Sequence, residues 1–258
     1  GGKVGDRLKS FLMKHPVARD LLADAEYDES DVHWRRNLAY YSTTFAGDGF
    51  VLVGDAAAFM DPFYSPGMDW ISYTTSSAAN LITEARRGDP MLKARLERYN
   101  QTFAISHRSW FEALYKDKYE YMGEFDLMSM AYNLDLALYY WGVVIHPFTI
   151  GPTALHKPPF APPDGRFVYH LMSTYNRRFA QIARHRRRTG ALGKTNRKRR
   201  CLIPGFTLER SDTWKIFPLL AQWAWLEITE GWRSWGETPA DVRASHLKSD
   251  APVGSAAA

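Results

Sequence analysis

Residues 49–70 read GFVLVGDAAAFMDPFYSPGMDW, and this stretch decides the fold that we predict for the chain. Residues 50–53 form an uninterrupted apolar run between Gly49 and Gly54, which is typical of a strand covered on both faces of a parallel sheet. Asp55 follows where that strand ends. Ligands of open α/β sheets bind at this edge, and an ionised carboxylate accepts hydrogen bonds from ligand hydroxyls with both oxygens. The stretch therefore predicts a ligand site at the end of a buried strand.

The end of the same stretch predicts a helix start at Ser65, Pro66 and Gly67. Serine can cap a first helical turn, proline is tolerated at the first helical position, and glycine lets a ligand approach the backbone closely. The N–H groups of that turn favour a negatively charged or polarised ligand oxygen. Apolar residues then recur near helical spacing, which predicts a helix over residues 68–87.

The order of apolar strand, GDAA, Asp-Pro and Ser-Pro-Gly resembles the second flavin-binding motif of a superfamily of FAD-dependent oxidoreductases. That superfamily includes the hydroxybenzoate-hydroxylase-like monooxygenases, the geranylgeranyl reductases and, most closely, the flavin-dependent (tryptophan) halogenases. The resemblance implies FAD as the cofactor. It implies that Asp55 hydrogen-bonds the sugar-alcohol linker of FAD, that Asp61 and Pro62 pass beside the isoalloxazine ring, and that the amides around Gly67 face the pyrimidine edge. The cofactor-binding residues it implies are Gly54, Asp55, Asp61, Pro62, Ser65, Pro66, Gly67 and Met68.

Ordinary structural roles compete with each of these assignments. Asp55 could simply cap the turn after its strand, and Pro62 could be a loop proline that restricts Asp61. Tyr64, Ser65 and Asp69 could line the same cavity, but aromatic packing and helix capping explain them as well.

The predicted fold class is α/β (α+β), namely the C-terminal portion of an FAD-binding parallel-sheet domain followed by a mainly helical region. We expect residues 1–90 to form a partial FAD-binding domain that carries the second flavin motif, and residues 91–150 a helical cap or substrate region. Residues 151–258 are expected to form a linker and a basic, tryptophan-rich helical region, and prolines concentrated between residues 151 and 165 indicate the linker.

Other signatures of complete relatives are absent from the sequence. It has no GxGxxG turn for the FAD pyrophosphate, no WxWxIP segment as in the halogenases, and no counterpart of their catalytic lysine before GDAA. We therefore expect a truncated flavoenzyme whose N-terminal part is a missing segment or chain, and no catalytic residue is assigned.

Composition narrows the classes of protein that fit. The chain has 258 residues, 45% of them hydrophobic, which is enough for a substantial core. Its one cysteine, Cys201, excludes an intramolecular disulfide and suits the cytoplasm. No apolar segment is long enough for a signal peptide or a membrane span, and the histidines show no metal-ligand spacing, so we expect no metal.

A basic run over residues 177–200 supports a competing function. It could be solvated surface, or it could contact a membrane surface or an acidic partner, with late tryptophans as interfacial anchors. Nucleic acid is the least favoured partner because the net charge is only +5. The alternative is therefore a non-catalytic interaction module, or one that binds a membrane surface or nucleic acid. The late tryptophans that could act as interfacial anchors are Trp214, Trp223, Trp225, Trp232 and Trp235.

The favoured function is that of an FAD-dependent oxidoreductase, halogenase, monooxygenase or reductase, acting on an aromatic or apolar small molecule. The resemblance also implies a flavin reductase or NAD(P)H as a partner. Pro66 has no N–H, which weakens halide binding at the Pro66-Gly67 step. Tyr139, Tyr140 and Trp141 could touch substrate, although core packing is favoured.

Four carboxylates in a helical stretch could include a catalytic base, but exposed solvation is the favoured interpretation. They are Glu112, Glu120, Glu124 and Asp126.

Overall fold

The computed structural model describes residues 3–34, 38–161, 163, 165–196 and 214–238. The chain divides into two compact units, residues 1–40 and 41–258. The predicted divisions after residues 90 and 150 stay predictions.

The first unit contains two short helices, α1 (Val4–Leu12) and α2 (Pro16–Leu21). The Tyr27 hydroxyl donates a hydrogen bond to Oδ1 of Asp6 at 2.6 Å, and the Tyr27 ring packs over Gly5. A carboxylate acceptor and burial beside α1 raise the pKa of Tyr27 to about 12. This contact holds residue 27 against α1.

The second unit is mostly helical. The helix predicted after the Ser-Pro-Gly step is confirmed as α3, and α8 forms part of the region that was expected to be helical after the proline-rich segment. Residues 91–150 are helical as expected, but two π-helical turns, Phe111–Tyr115 and Tyr140–Val144, interrupt the regular α-helices. The helices are α3 (Pro66–Arg86), α4 (Leu92–Trp110), α5 (Lys118–Tyr121), α6 (Phe125–Tyr139), α7 (Ile145–Ile150), α8 (Arg166–Arg188) and α9 (Ile216–Thr229).

The strands of the described residues are short and form two-stranded sheets. They are β1 (Tyr40–Tyr41), β2 (Ala46–Gly47), β3 (Phe50–Val51) and β4 (Ala58–Phe59), with β1 beside β4 and β2 beside β3. Strand β3 pairs antiparallel with β2, and Ala46 lies opposite Val51. Asp48 and Gly49 form the two-residue loop, with Gly49 at φ +76°, and such a loop returns the chain antiparallel to itself.

This hairpin differs from the predicted parallel-sheet strand. Phe50 is 48% exposed, so within the described residues the strand is not covered on both faces. The physical reason is local. A two-residue Asp-Gly loop joins β2 directly to β3 as an antiparallel hairpin, whereas a parallel neighbour would require a much longer crossover connection. Asn100 on α4 supports the hairpin: its Oδ1 accepts the N–H groups of Phe45 (2.6 Å) and Ala46 (2.9 Å).

The core of the second unit lies between α4, α6 and α8 and is rich in aromatic side chains. Tyr121 and Tyr175 each contact Phe179 with ring centroids 5.7 Å apart. The fully buried aromatic side chains are Phe45, Phe103, Trp110, Tyr115, Tyr121, Tyr175 and Phe179.

The segment predicted as a linker packs against the helices in its described part. Residues Pro152–His156 form a 3-10 helix, and the buried ring of Phe160 lies 5.6 Å from that of Trp110. The hydroxyl of Ser106 donates to the carbonyl of Pro159. These contacts bury apolar rings, so this stretch behaves as part of the core and not as an open spacer.

The late tryptophans differ in their exposure. Trp223 packs inward, with its ring 6.0 Å from that of Tyr175. No helix of the described residues is both long and apolar enough to cross a membrane. The tryptophans that are largely exposed are Trp214, Trp225, Trp232 and Trp235.

The described part of the basic run is largely paired with carboxylates and is not a solvated cationic surface. Arg186 is buried and donates to both oxygens of Asp126 and of Glu230, and also to Glu124. Arg178 forms the same two-bond arrangement with Glu227. These side chains lie on α8, whose apolar face is buried, so the helix carries its arginines into contact with neighbouring acidic segments.

The arginines after Arg186 are also paired. Arg187 bonds to Glu120, and Arg188 bonds to Glu237. Residues 197–200 and Cys201 lie outside the described residues. The described part of the run therefore does not favour a nucleic-acid or membrane module built on its charge.

Candidate functional site

Gly54 fixes the turn that presents Asp55. Its N–H donates to Oγ1 of Thr74 (2.9 Å), and its carbonyl accepts from Nε1 of Trp70 (3.1 Å). Its φ of +54° favours glycine, and an added Cβ would lie 2.8 Å from Cγ1 of Ile71. Gly54 is therefore explained by packing of the turn against α3, which leaves Asp55 at the exposed end.

Asp55 and Gly67 lie next to each other at the N-terminus of α3. An added Cβ on Gly67 would have one neighbour within 4 Å, the Oδ1 atom of Asp55, at 4.0 Å. Apart from its chain neighbours and its own helix, no other atom of the described residues lies within 4 Å of that position. The fold thus brings together two residues that the sequence assigns to one ligand. Strand β4 and the 3-10 turn Pro62–Tyr64 separate them along the chain.

The predicted helix start is confirmed, but the predicted serine cap is wrong. Ser65 occupies the N-cap position in the left-handed conformation (φ 53°, ψ 42°), and its side chain makes no capping hydrogen bond. Pro66 is buried at the first helical position. The N–H groups of Gly67 and Met68 have no intrahelical acceptor by the geometry of a first turn, and Ser65 does not supply one. Two amides therefore point out of the helix end beside Asp55.

Asp61 is engaged within its own loop. Its Oδ1 accepts the N–H of Phe63 at 2.9 Å, and its Oδ2 accepts the hydroxyl of Tyr119. Burial and the Asp61 carboxylate raise the pKa of Tyr119 to about 12. Pro62 begins the 3-10 turn Pro62–Tyr64 and is exposed, as are Ser65 and Met68. The loop therefore exposes Pro62, while the half-buried Asp61 is held by hydrogen bonds within the loop and to Tyr119.

A buried ion pair that no sequence motif indicates lies beside this loop. Lys118 on α5 and Asp135 on α6 are both buried, with Nζ 2.5 Å from Oδ2. The same carboxylate accepts the hydroxyls of Tyr64 (2.7 Å) and Tyr175 (2.5 Å). Lys118 and Asp135 are 17 residues apart on different helices, so no motif or periodic spacing indicates that they meet.

Asp69 and the Tyr139-Tyr140-Trp141 cluster have structural roles. Tyr139 donates to Oδ2 of Asp69 at 2.8 Å, and burial raises the pKa of Asp69. Tyr140 is buried, and Trp141 is 37% exposed. Core packing, the favoured interpretation of this cluster, holds for the first two residues.

The four carboxylates that were expected to be exposed have partners. Glu124 is completely buried, where Nη1 of Arg186 donates to it at 2.7 Å. Hydrogen bonds and attraction from Arg186 outweigh burial and lower the pKa of Asp126. Glu112 accepts the hydroxyl of Tyr169 at 2.9 Å. The expectation of plain solvation is therefore wrong for Glu124 and Asp126, because α8 carries Arg186 against them.

A cavity of about 420 Å³ lies along α6. Its wall includes Tyr132, whose ring stacks on that of Tyr64 with centroids 6.0 Å apart and planes inclined by 22°. Tyr64 ends the Pro62–Tyr64 turn, so the cavity adjoins the loop of the predicted flavin motif. Its lining residues include Met122, Phe125, Met128, Ser129, Tyr132 and Asn196.

Part of the chain is similar to flavin-dependent halogenases. It is 37% identical to a flavin-dependent halogenase of Armillaria mellea over 78 residues, which are 30% of this chain and 15% of the relative. It is 37% identical to the sulochrin halogenase of Aspergillus terreus over 81 residues, 31% of this chain and 15% of the relative. It is 27% identical to the tryptophan 2-halogenase of Chondromyces crocatus over 99 residues, 38% of this chain and 19% of the relative.

These matches confirm the predicted relationship to flavin-dependent halogenases over about a third of the chain. The matched segments span less than a fifth of the length of each of these three relatives. No protein-family model matches the chain. No solved structure matches it.

Proposed function

We propose that the chain supplies the ring-facing and linker-facing half of an FAD site in an oxidoreductase of the halogenase-like class. The observation that carries this proposal is the proximity of Asp55 and Gly67. The carboxylate of Asp55 and two helix-end amides, those of Gly67 and Met68, lie at the same end of α3. Such a pair of groups suits a ligand that has both hydroxyl donors and polarised carbonyl acceptors, and FAD has both in its linker and pyrimidine edge.

Each residue has a specific role in this proposal. The Asp55 carboxylate accepts hydrogen bonds from the linker hydroxyls, and the amides at Gly67 and Met68 donate to the polarised ring edge. Asp61 and Pro62 pass beside the ring, and Asp61 also holds the loop by accepting the N–H of Phe63. When bound, FAD supplies the redox chemistry, and these residues orient it.

The similarity to halogenases favours halogenase-like chemistry over simple monooxygenation or alkene reduction. Pro66 limits this assignment, because the Pro66-Gly67 step offers only the Gly67 N–H to a halide. The substrate in this proposal is an aromatic or apolar small molecule. A flavin reductase, or NAD(P)H directly, is the proposed source of reducing equivalents.

FAD titration of the purified chain tests the proposal. We expect quenching of FAD fluorescence on binding, and a dissociation constant about 10-fold or more higher in Asp55→Asn, because hydrogen bonds to a charged group contribute about 1.5–3 kcal/mol. Glu97→Gln, an exposed carboxylate on α4, is the matched control and should bind FAD like the unmodified chain. Absence of FAD uptake, or equal affinity of Asp55→Asn and the control, would refute the proposed site.

A further inference from the structure

We propose that Tyr64 and Tyr175 form a redox-active pair, which gives one electron to a one-electron oxidant while Asp135 accepts the phenol proton. Trp223 connects this pair to α9. The inference concerns the core of the second unit and does not depend on FAD binding, so the proposed function can fail without affecting it.

The two phenols share one carboxylate. The hydroxyl of Tyr175 donates to Oδ1 of Asp135 at 2.5 Å, and that of Tyr64 donates to Oδ2 at 2.7 Å. A base at hydrogen-bond distance can take a proton without any rearrangement of the fold. Lys118, with Nζ 2.5 Å from the same Oδ2, compensates the charge of the carboxylate in the core. The pair is therefore built around a buried anion that is already bonded to both phenol protons.

Burial determines how these phenols can be oxidised. Tyr175 is completely buried, and burial together with the Asp135 carboxylate raises the pKa of Tyr64 and of Tyr175 above the usual value. Both rings therefore carry their protons at neutral pH, and the electron must leave from a neutral phenol. A phenol that loses an electron becomes a very strong acid, and a radical cation would be costly in the core. Transfer of the proton to Asp135 removes that charge from the ring.

The oxidation step balances with Asp135 as the base. The phenol O–H bond breaks, and its proton forms a new O–H bond on the carboxylate. Of the two electrons in the broken bond, one stays on the phenol oxygen and one goes to the oxidant. The products are a neutral tyrosyl radical, a carboxylic acid and an oxidant reduced by one electron. Re-reduction returns the proton to the phenol, because the carboxylic acid remains within hydrogen-bond distance of the phenoxyl oxygen.

Trp223 continues the series of oxidisable rings towards α9. Its ring centroid lies 6.0 Å from that of Tyr175, and its Nε1 donates to Oε1 of Glu227 at 3.0 Å. An indole that loses an electron also releases its N–H proton, so Glu227 serves Trp223 as Asp135 serves the phenols. Trp223 is half-buried, whereas Tyr175 is completely buried. Three rings, each with its donor group on a carboxylate, thus connect the Pro62–Tyr64 turn to α9.

Two other buried tyrosines provide a matched comparison. The hydroxyls of Tyr73 and Tyr99 donate to backbone carbonyls, that of Val143 at 2.8 Å and that of Leu52 at 3.3 Å. A backbone carbonyl accepts a hydrogen bond but is not a base at neutral pH. These two rings should therefore be harder to oxidise than the pair on Asp135, although they are similarly shielded from water.

Freeze-quench EPR of the full chain after flash oxidation tests the pair. The oxidant is photogenerated tris(bipyridine)ruthenium(III), and ring-deuterated tyrosine identifies which signals are tyrosyl radicals. We expect a tyrosyl signal that outlasts the radicals of exposed rings, because a buried radical cannot couple with a second molecule. If the unmodified chain shows no such persistent signal, the proposal is wrong.

Two double variants locate the persistent radical. Tyr64→Phe with Tyr175→Phe should lower its yield about 10-fold or more, which corresponds to a barrier raised by at least one factor of ten in rate. Tyr73→Phe with Tyr99→Phe removes two buried hydroxyls without a carboxylate partner and should retain the signal. Less buried tyrosines that donate to other carboxylates are present in both variants and cannot account for a difference. Equal yields would overturn the proposal.

Removal of the base tests the role of Asp135 separately. The double variant Lys118→Met, Asp135→Asn keeps both phenols and leaves neither charge of the buried ion pair. We expect the persistent signal to fall about 10-fold or more, since the phenols lose their proton acceptor. Lys116→Met, at an exposed position, is the control and should retain the signal. An unchanged yield in a folded double variant would overturn the proposal.

The route through Trp223 decides the proposal if the variants of the core do not fold. Trp223→Phe removes the ring between the pair and α9 and should slow formation of the persistent radical about 10-fold or more. Trp225→Phe removes an exposed indole of the same helix and should leave the rate unchanged. Equal rates in these two variants would overturn the proposal.

The EPR measurement and the FAD titration give separate answers. A persistent radical in a chain that binds no FAD would support the tyrosine pair and refute the proposed function. FAD binding by a chain that forms no persistent radical would do the reverse. If both are observed, the route can carry oxidising equivalents between the loop of the flavin motif and α9.

Discussion

The Nζ atom of Lys118 lies 2.5 Å from Oδ2 of Asp135, and both side chains are buried. Burial lowers the pKa of Lys118, and the attraction of Asp135 opposes that change. The hydroxyls of Tyr64 and Tyr175 complete the environment of the carboxylate. A single acidic side chain therefore links the loop of the flavin motif, α5 and α8.

Removing one partner of this pair should be more damaging than removing both charges. Lys118→Met leaves Asp135 as a buried, uncompensated charge, so we expect a loss of about 3–5 kcal/mol in the free energy of unfolding. The double variant Lys118→Met, Asp135→Asn should recover much of it, because no buried charge remains. Urea denaturation measures both, with the exposed Lys116→Met as control. A double variant as unstable as Lys118→Met would contradict the charge-compensation argument.

Gly54 should tolerate alanine less well than Gly88 does. Both have positive φ (+54° and +71°), which costs a non-glycine residue about 1–2 kcal/mol. Only at Gly54 does the new Cβ meet a neighbour, Cγ1 of Ile71 at 2.8 Å, so that variant should lose roughly 1–3 kcal/mol more. Thermal or urea unfolding of Gly54→Ala and Gly88→Ala checks this. Equal losses would mean that Ile71 relaxes at no cost and that backbone strain alone decides.

The helix start at Pro66 is predicted correctly from the sequence because its signal is local. Pro66 and Gly67 lie one residue apart, and proline at a first helical position carries its own conformational signal. The hairpin shows the limit of such signals. Residues 50–53 are apolar like a buried strand, but the loop at Asp48 and Gly49 pairs the start of that run with β2.

Contacts that depend on tertiary packing could not be predicted. The Oδ2 atom of Asp61 accepts the hydroxyl of Tyr119, 58 residues further along the chain, and no motif indicates this contact. The pairing of Arg186 with Glu124 likewise spans 62 residues. A charge run in a sequence shows only the cations, whereas their acidic partners become visible once α8 packs against neighbouring segments.

We expect Arg186, the buried arginine of the basic run, to stabilise the fold. Three carboxylates, Glu124, Asp126 and Glu230, surround Arg186; burial alone would lower its pKa, but these partners raise it well above the usual value. Arg186→Met should therefore cost about 3–5 kcal/mol of unfolding free energy. Arg187→Met removes a more exposed pair with Glu120 and should cost about 0–1 kcal/mol. Similar losses in the two variants, measured by urea denaturation, would show that burial of Arg186 does not set its contribution.

His107 is the side chain through which we expect mild acid to weaken the fold. It is 6% exposed, and burial lowers its pKa from 6.5 to about 4. Its ring packs against that of Trp70 at 5.4 Å, and Nε2 has no hydrogen-bond partner among the described residues. The folded state therefore holds the neutral imidazole, because no group of the described residues is placed to accept a hydrogen bond from Nε2 in the charged form.

The sign of the pH dependence follows from these pKa values. Above pH 6.5 the ring is neutral in both states, so it contributes no pH dependence. As the pH falls from 6.5 towards 4, the unfolded chain binds a proton that the folded chain does not, and stability is lost. The loss at pH 5 relative to pH 7 is about 2 kcal/mol for this one group.

Urea denaturation of His107→Leu at pH 7 and pH 5 measures this contribution. The variant should lose about 2 kcal/mol less than the unmodified chain over that interval, because the remaining acid-sensitive groups are common to both proteins. His146→Gln removes an exposed histidine on α7 and should retain the full loss. If His107→Leu is as sensitive to acid as the unmodified chain, His107 must be protonated in the folded state, and water must then reach Nε2 beside Trp70.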